Sequence, residues 1–266
     1  MPVTNAFLSN IGSRMSLVRA ETARIREAII DANKAEPERS RVFSTLDDMT
    51  LVYRYGTFRQ PPETFNILKY RQIDCAVIVG DKKIAAANFL EVKAIDDLTD
   101  HDLFWELDKQ SNEYAAIGTA FLSGWDAYNV SETGSFVVLD HLAATSDRPS
   151  AQWSKLLNEF IEQKLLNDAF VMLTNPYPHD VVNVINKGHR DDAMQDFARR
   201  RHEAKWNFAE KYLGFTKYSD EAYSSNWMYK MSDKCLGPEP EFRKFDICDL
   251  DDAMRHDNPS RKRSRR

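Results

Sequence analysis

The sequence predicts an α/β fold: a mixed central sheet flanked by helices, with a helical N-terminal arm. Three observations predict this class. Apolar residues make up 42% of the 266 residues, which is an ordinary globular composition. Two nearly continuous apolar runs joined by a glycine turn are typical of a buried β-hairpin. Further along, a strand, an amphipathic helix and a second strand follow one another, which implies a right-handed crossover and parallel pairing.

The N-terminal arm is predicted to cover residues 1–45. Apolar side chains recur there at helical spacing, namely Val18, Ile25, Ile29 and Ala32. Pro37 is expected to follow the end of this helix. Residues 49–55 are rich in β-branched and aromatic side chains, so they predict the first strand.

The hairpin is the clearest local signal. Its strands are predicted from the runs Cys75–Val79 and Ile84–Val92, which flank a turn that begins Gly80-Asp81. Because both runs are nearly continuous in apolar residues, both faces of the hairpin are expected to be buried. The segment near 96–130 is then predicted to be an insertion that contains one or two helices.

The strand–helix–strand unit begins with a predicted strand over residues 134–143. The helix that follows is the best amphipathic helix of the chain, with apolar residues at i, i+3, i+4, i+7 and i+8: Trp153, Leu156, Leu157, Phe160 and Ile161. A second strand is predicted over 168–173. A charged insertion near 176–204 leads into a helix that ends at Gly214, and a strand over 227–231 closes the folded part.

These elements predict one domain over residues 46–232, followed by a largely flexible tail over 233–266. The tail ends in the block Arg261–Arg266, which holds five positive charges. Since the whole chain has a net charge of −5, the remainder carries about −10, which argues against non-specific binding of nucleic acid by the body. The block Arg261–Arg266 either contacts nucleic acid or an acidic partner or is a solvated end.

Composition also indicates which metal sites, disulfides and cellular locations to expect. The three cysteines form no C-x-x-C pair, so neither a disulfide framework nor a structural zinc site is expected. No metal-ligand set is predicted elsewhere. No apolar run approaches the length that spans a bilayer, and no secretory signal is visible, so a cytoplasmic protein without membrane contact is expected.

Three segments together resemble the GNAT superfamily of acyl-CoA-dependent N-acyltransferases. They match the family's second and third strands, its acyl-CoA segment and its closing unit: Val77–Val92, Phe136–Leu166 and Ala209–Phe215 with the strand after it. The resemblance implies a GNAT-like sheet and transfer of an acyl group, from acetyl-CoA or another acyl-CoA, to an amine of unknown identity. The alternative is a non-catalytic GNAT-like protein that binds a protein or nucleic-acid partner.

The resemblance also implies where coenzyme A binds. In the family, backbone N–H groups at a helix N-terminus hold the pyrophosphate. The aligned residues here are Arg148-Pro-Ser-Ala-Gln-Trp153, in which Ala151 and Trp153 stand at the family's glycine positions. The cofactor contacts implied by the resemblance are Leu142, Ala143, Arg148, Ser150, Ala151, Gln152, Trp153 and Asn175.

The general base is expected on the 134–143 strand, where Asp140 and His141 are the candidates. Strand alternation predicts that they point to opposite faces, so that one of them enters the cleft. His141 is favoured because imidazole titrates near neutral pH; a hydrogen-bonded structural histidine is the alternative. Tyr212 is the candidate acid, displaced from the family's position, and a core tyrosine is its alternative.

Overall fold

The computed structural model contains a mixed eight-stranded sheet with helices against both faces, which establishes the α/β class. It describes residues 3–36, 38–60, 67–145, 150–176, 192–219, 226–234 and 237–243. The side chains of residues 3–15, 17, 18 and 192–194 lie outside that description.

The strands are β1 (Arg41–Leu46), β2 (Met49–Tyr55), β3 (Leu68–Val79), β4 (Lys82–Ala94), β5 (Ser135–Ala144), β6 (Val171–Thr174), β7 (Thr216–Lys217) and β8 (Met228–Met231). The helices are α1 (Val3–Ala32), α2 (Asp100–Asp108), α3 (Asn112–Leu122), α4 (Ala127–Thr133), α5 (Ser150–Phe160) and α6 (Asp192–Leu213). The strand order is β1-β2-β3-β4-β5-β6-β8-β7. Among these described strands, β5 and β6 form the one parallel pair.

The hairpin prediction is confirmed by β3 and β4. Gly80 begins their turn with φ 58°, a backbone conformation that favours glycine. The central residues of both strands are buried on both faces, as predicted. The ladder contains one bulge, because Ile78 pairs with Lys83 while Val77 pairs with Ala85, so that Ile84 has no partner of its own.

The predicted strand–helix–strand unit and its parallel pairing are also confirmed, with β5, α5 and β6 as the three elements. Residues 137–139 of β5 pair in parallel with residues 172–174 of β6. The ring of Trp153 is turned inward, as its helical position predicts, and stacks on Phe208 of α6 at a centroid distance of 5.3 Å. After Phe160 the helix continues as one π-helical turn, Ile161–Leu165.

The two faces of the sheet are covered by different helices. On the face that we call the first, Val137 and Leu139 of β5 belong to a core with residues of α5 and α6. On the second face, Phe136 and Val138 belong to a core with residues of α2, α3 and α4. The last turn of α1 covers another part of the second face, where Ile30 packs on Ala86 and Ala143.

An asparagine fixes the end of α1 to the sheet. The side-chain Nδ2 of Asn33 donates to the carbonyl oxygens of Cys75 and Ala87, each at 3.2 Å. These two residues are partners in the β3–β4 ladder. The helix therefore ends on the hairpin at Ala32, five residues before Pro37, consistent with the predicted position.

Several elements differ from the sequence prediction. Strand β1 lies inside the segment predicted as the helical arm, and the two-residue β7 was not predicted because a strand so short has no periodicity to detect. The 96–130 segment holds three helices instead of one or two. Helix α6 begins at Asp192, inside the predicted 176–204 insertion, because the charged segment and the apolar end form one helix.

Part of the segment predicted as a flexible tail packs against the body. The backbone N–H groups of Glu241 and Arg243 donate to the carbonyl oxygens of Gly124 and Ser123, each at 2.9 Å. The ring of Phe242 contacts those of Tyr218 and Tyr229. Burial of this aromatic ring explains the difference. The basic block Arg261–Arg266 lies outside the described residues. None of the helices in the described ranges has the length and apolarity needed to cross a membrane.

Candidate active site

A row of polar residues crosses the second face of the sheet. In the strand pairing, Arg54 lies opposite Asp74, Asp74 opposite Asn88, and Asn88 opposite His141. Residues directly opposite each other project to the same face, so these four side chains follow one line over β2 to β5. Asp74 and Asn88 are buried, at 4% and 9% exposure, and Asn88 Nδ2 donates to Asp74 Oδ1 at 2.6 Å.

The row lies between the two groups of helices on this face. On one side, Ala86 and Ala143 are covered by α1. On the other side, Val92 and Phe136 are covered by α2 to α4. The row therefore lies between the part of this face under α1 and the part under α2 to α4, and its two central residues are covered. Burial of the Asp74 carboxyl raises its pKa, and the hydrogen bond from Asn88 opposes that rise in part.

A β-bulge brings the two predicted base residues together. Asn88 pairs with His141 while Phe89 pairs with Leu139, so Asp140 is the additional residue of β5. His141 Nδ1 and Asp140 Oδ2 lie 2.7 Å apart. The prediction that alternation separates these side chains is therefore wrong. Leu139 and Leu142, three residues apart, both pack into the first-face core, which also shows that alternation is broken here.

The dyad has the properties of a proton acceptor. Its two side chains are about half exposed, at 46% for His141 and 41% for Asp140. The hydrogen bond that His141 donates to Asp140 raises the pKa of His141, although partial burial opposes the rise. Since Nδ1 faces the carboxylate, the neutral ring carries its proton on Nδ1 and presents Nε2 as an acceptor.

Helix α3 begins near the dyad. Ser111 caps this helix by accepting a hydrogen bond from the backbone N–H of Tyr114, at 3.3 Å. The Tyr114 ring lies edge-on against Tyr70, with centroids 5.8 Å apart. Burial and the nearby charges of Asp140 and Glu113 raise the pKa of Tyr114. The first turn of α3 thus places a phenol and a carboxylate beside the dyad.

The pairing of β5 with β6 ends before β5 does, and we call this place the β5–β6 opening. The parallel pairing stops at Leu139 and Thr174, where Thr174 Oγ1 donates to the Leu139 carbonyl at 3.1 Å. Within the described residues, β5 pairs beyond this point with β4 alone. Asn175 follows at the mouth of the opening, and its side-chain oxygen is buried without a hydrogen-bond partner in the part of the chain that the structure describes.

The residues that the resemblance implies as cofactor contacts differ in their exposure. Ser150, Ala151 and Gln152 are exposed in the first turn of α5, whereas Trp153 is buried. Leu142 packs into the first-face core, and Ala143 packs under α1. Arg148 lies outside the described residues.

Tyr212, the predicted acid, lies near the end of α6. Its ring packs against that of Phe208 at 5.2 Å, with the Lys211 ammonium 5.1 Å from its centroid. No hydrogen bond, ion pair or ring contact joins Tyr212 to Asp140 or His141 within the described ranges. The tyrosine beside the dyad is Tyr114 instead.

Sequence reasoning missed Asp74, Asn88, Glu113 and Tyr114. Asp74 and Asn88 did carry a signal, because each is a polar residue at the edge of, or inside, an apolar run of the predicted hairpin. Glu113 and Tyr114 carried none, since only the packing of α3 on the sheet brings them to the dyad. Comparisons of this chain with protein-family models, with curated proteins and with solved structures find no match.

Proposed function

We propose that this protein is an acyl-CoA-dependent N-acyltransferase in which His141 is the general base. The observation that carries the proposal is the hydrogen-bonded Asp140–His141 dyad, which sits where β5 separates from its parallel neighbour. A proton acceptor beside an opening at the carboxyl ends of parallel strands is a common site for chemistry in α/β folds. The GNAT resemblance supplies the reaction class.

The dyad suits the proton transfer that this reaction needs. The amine nitrogen attacks the thioester carbonyl carbon, the C–N bond forms, and the C–S bond breaks. Imidazole Nε2 takes the proton that the nitrogen loses, and the departing thiolate takes up a proton, so charge balances over the cycle. The role of Asp140 is to hold the tautomer and to stabilise the imidazolium, as a carboxylate does in other histidine dyads.

The opening between β5 and β6 fits the acyl-CoA arm. A strand edge without a described partner offers backbone groups to an extended chain that contains amides. The buried Asn175 side-chain oxygen lacks a partner, and a ligand N–H would supply one. The exposed first turn of α5, with its unpaired backbone N–H groups, is the proposed contact for phosphate.

Binding of acetyl-CoA tests the proposal directly. We expect titration calorimetry to detect binding and thermal unfolding to show a higher melting temperature with ligand, since ligand binds the folded state. Asn175→Ala should weaken acetyl-CoA binding about tenfold, because one hydrogen bond from a buried group is lost. His141→Ala is the matched control and should leave that affinity unchanged. Failure of acetyl and longer acyl forms to bind at millimolar concentration would overturn the proposal and favour the non-catalytic alternative.

A further inference from the structure

We propose that residues 237–243 are an intramolecular ligand on a peptide-docking surface, and that an extended segment of a partner protein competes for this surface. The surface lies at the ends of α2, α3 and α4 and beside β8. The partner segment is expected to carry an aromatic residue followed by an arginine. This inference is independent of acyl transfer, because it uses neither the dyad nor the β5–β6 opening.

The backbone of the segment binds the surface through alternate residues. The N–H groups of Glu241 and Arg243 donate to the carbonyl oxygens of Gly124 and Ser123, each at 2.9 Å. Residues two apart in an extended chain point their backbone groups to the same side, so both N–H groups meet the same turn between α3 and α4. Main-chain bonds of this kind give affinity to any extended segment, and the side chains decide which segment binds.

The side chain of Phe242 provides the aromatic contact. Its ring lies 4.8 Å from the Tyr218 ring and 5.7 Å from the Tyr229 ring, measured between centroids. If Gly124 carried a Cβ, that atom would lie 3.5 Å from the Phe242 ring, so the ring also covers the backbone of the turn. The surface therefore accepts an aromatic side chain between two tyrosines and a glycine.

The side chain of Arg243 joins the ends of three helices. Its Nη2 donates to Asp100 Oδ2, at 3.1 Å, and to Asp126 Oδ1. Its Nε donates to the Leu122 carbonyl at 3.2 Å. Asp100 begins α2, Leu122 ends α3, and Asp126 directly precedes α4. Two carboxylates and a carbonyl around one position select a guanidinium, whose N–H groups point in several directions.

The beginning of the segment fits the surface closely. A Cβ at Gly237 would lie 2.3 Å from the buried ring of Phe170, so this position requires glycine. The Trp125 indole then donates to the Pro238 carbonyl at 2.9 Å. The pattern that the surface recognises is therefore a glycine, an aromatic residue five positions later, and an arginine directly after it.

The segment lies at the protein surface, where a competing segment can reach it. The Arg243 side chain is 47% exposed and that of Asp126 is 61% exposed, so their ion pair contributes little to stability. Glu239 and Glu241 are exposed as well. Contacts of this kind open locally without unfolding of the whole domain, and a partner segment binds in the opened state.

Fluorescence anisotropy with a labelled peptide of residues 237–243 tests the inference in the full chain. The double variant Phe242→Ala with Arg243→Gln should bind this peptide at least about tenfold more tightly than the wild type does. In the wild type, the chain's own segment holds the surface at a high effective concentration. A peptide with the same two substitutions should not bind. Glu241→Gln, on an exposed side chain of the same segment, is the matched control and should exclude the peptide as the wild type does.

Thermal unfolding provides a second measurement on the same variants. The double variant should melt at a lower temperature than the wild type, and the unaltered peptide alone should raise that temperature. A double variant that folds but binds no peptide, or one that does not fold, would overturn the inference, because the segment would then be a fixed part of the fold. A wild-type dimer that the two substitutions convert to a monomer would identify a second copy of this chain as the occupant and overturn the proposal of a different partner.

Discussion

Two buried carboxylates of the same hairpin, Glu91 and Asp74, lie on opposite faces of the sheet, and their surroundings differ. On the first face, Arg71 of β3 forms an ion pair with the buried Glu91 of β4, and its guanidinium stacks on the rings of Tyr55 and Phe58 at 4.3 and 4.4 Å. On the second face, Asp74 is bonded to the neutral Asn88 alone. Within the described residues, Glu91 has an ion-pair partner and Asp74 has none.

The difference distinguishes a charge that the fold neutralises from one that it leaves without an ion pair. An ion pair that is covered by aromatic rings contributes to the fold, and removing one partner leaves the other without its counter-ion. A buried carboxylate without an ion pair contributes little to the fold, because no close cation compensates its burial. The following predictions test this distinction and begin with the dyad, which lies on the same face as Asp74.

The largest effect is expected from the dyad. If acyl transfer occurs, His141→Ala should lower kcat by about 10²–10⁴-fold, the range for loss of a general base, with little change in the melting temperature because the ring is half exposed. The rate should rise with pH through a pKa above 6.5, since the base acts when neutral and Asp140 raises its pKa. In Asp140→Asn this rise of the rate with pH should occur at lower pH, because the carboxylate no longer raises the pKa of His141. Full activity of both variants would show that the bulge has no catalytic role.

The next effect is on stability and concerns the first-face pair. Arg71→Ala should lower the free energy of unfolding by about 3–5 kcal/mol in urea denaturation, because Glu91 is left as an unpaired buried charge. Replacing both partners, Arg71→Met with Glu91→Leu, should restore part of the loss. A double variant no more stable than the single one would mean that the stacked guanidinium, and not the charge pair, carries the stability.

A smaller effect of opposite sign is expected at Asp74. Burial raises the pKa of this carboxyl in the folded protein, so its ionised form opposes folding above that pKa. Asp74→Asn should therefore be more stable than the wild type at pH 7, and the gain should shrink as the pH falls and Asp74 takes up its proton. Urea denaturation at a series of pH values measures this. A variant less stable than the wild type at pH 7 would show that the Asp74 charge supports the fold.

The smallest effect is expected at Tyr212. Because its ring packs on Phe208, away from the dyad, Tyr212→Phe should leave kcat unchanged. The kcat of Tyr114→Phe should be measured for comparison, since the Tyr114 phenol lies beside Asp140. A loss of turnover in Tyr212→Phe alone would restore Tyr212 as the acid.

The sequence predicted the elements better than their registers. Periodicity identified the hairpin, the crossover and helix α5, because burial of apolar side chains decides those elements. It could not place the site. A hairpin paired without a bulge from Val79 and Lys82 would set Asp74 opposite Ala87; the bulge at Ile84 sets it opposite Asn88 instead.

The bulge at Asp140 has the same effect on the base. Simple alternation in β5 separates Asp140 from His141, and one added residue brings the two side chains within 2.7 Å. A bulge leaves no mark in the hydrophobic pattern, since it is a property of pairing between two strands. The predicted base residues were thus identified correctly as neighbours on a strand, but their geometry required the structure.

The packed segment 237–243 has a consequence for how the protein folds during synthesis. Its hydrogen bonds join residues far apart in the chain, such as the Trp125 indole to the Pro238 carbonyl, and the Arg243 side chain to the Leu122 carbonyl. Contacts of such separation form late, because the chain entropy of closing the intervening loop must first be overcome. On the ribosome, the outer side of α2 to α4 therefore stays uncovered until residues 237–243 emerge.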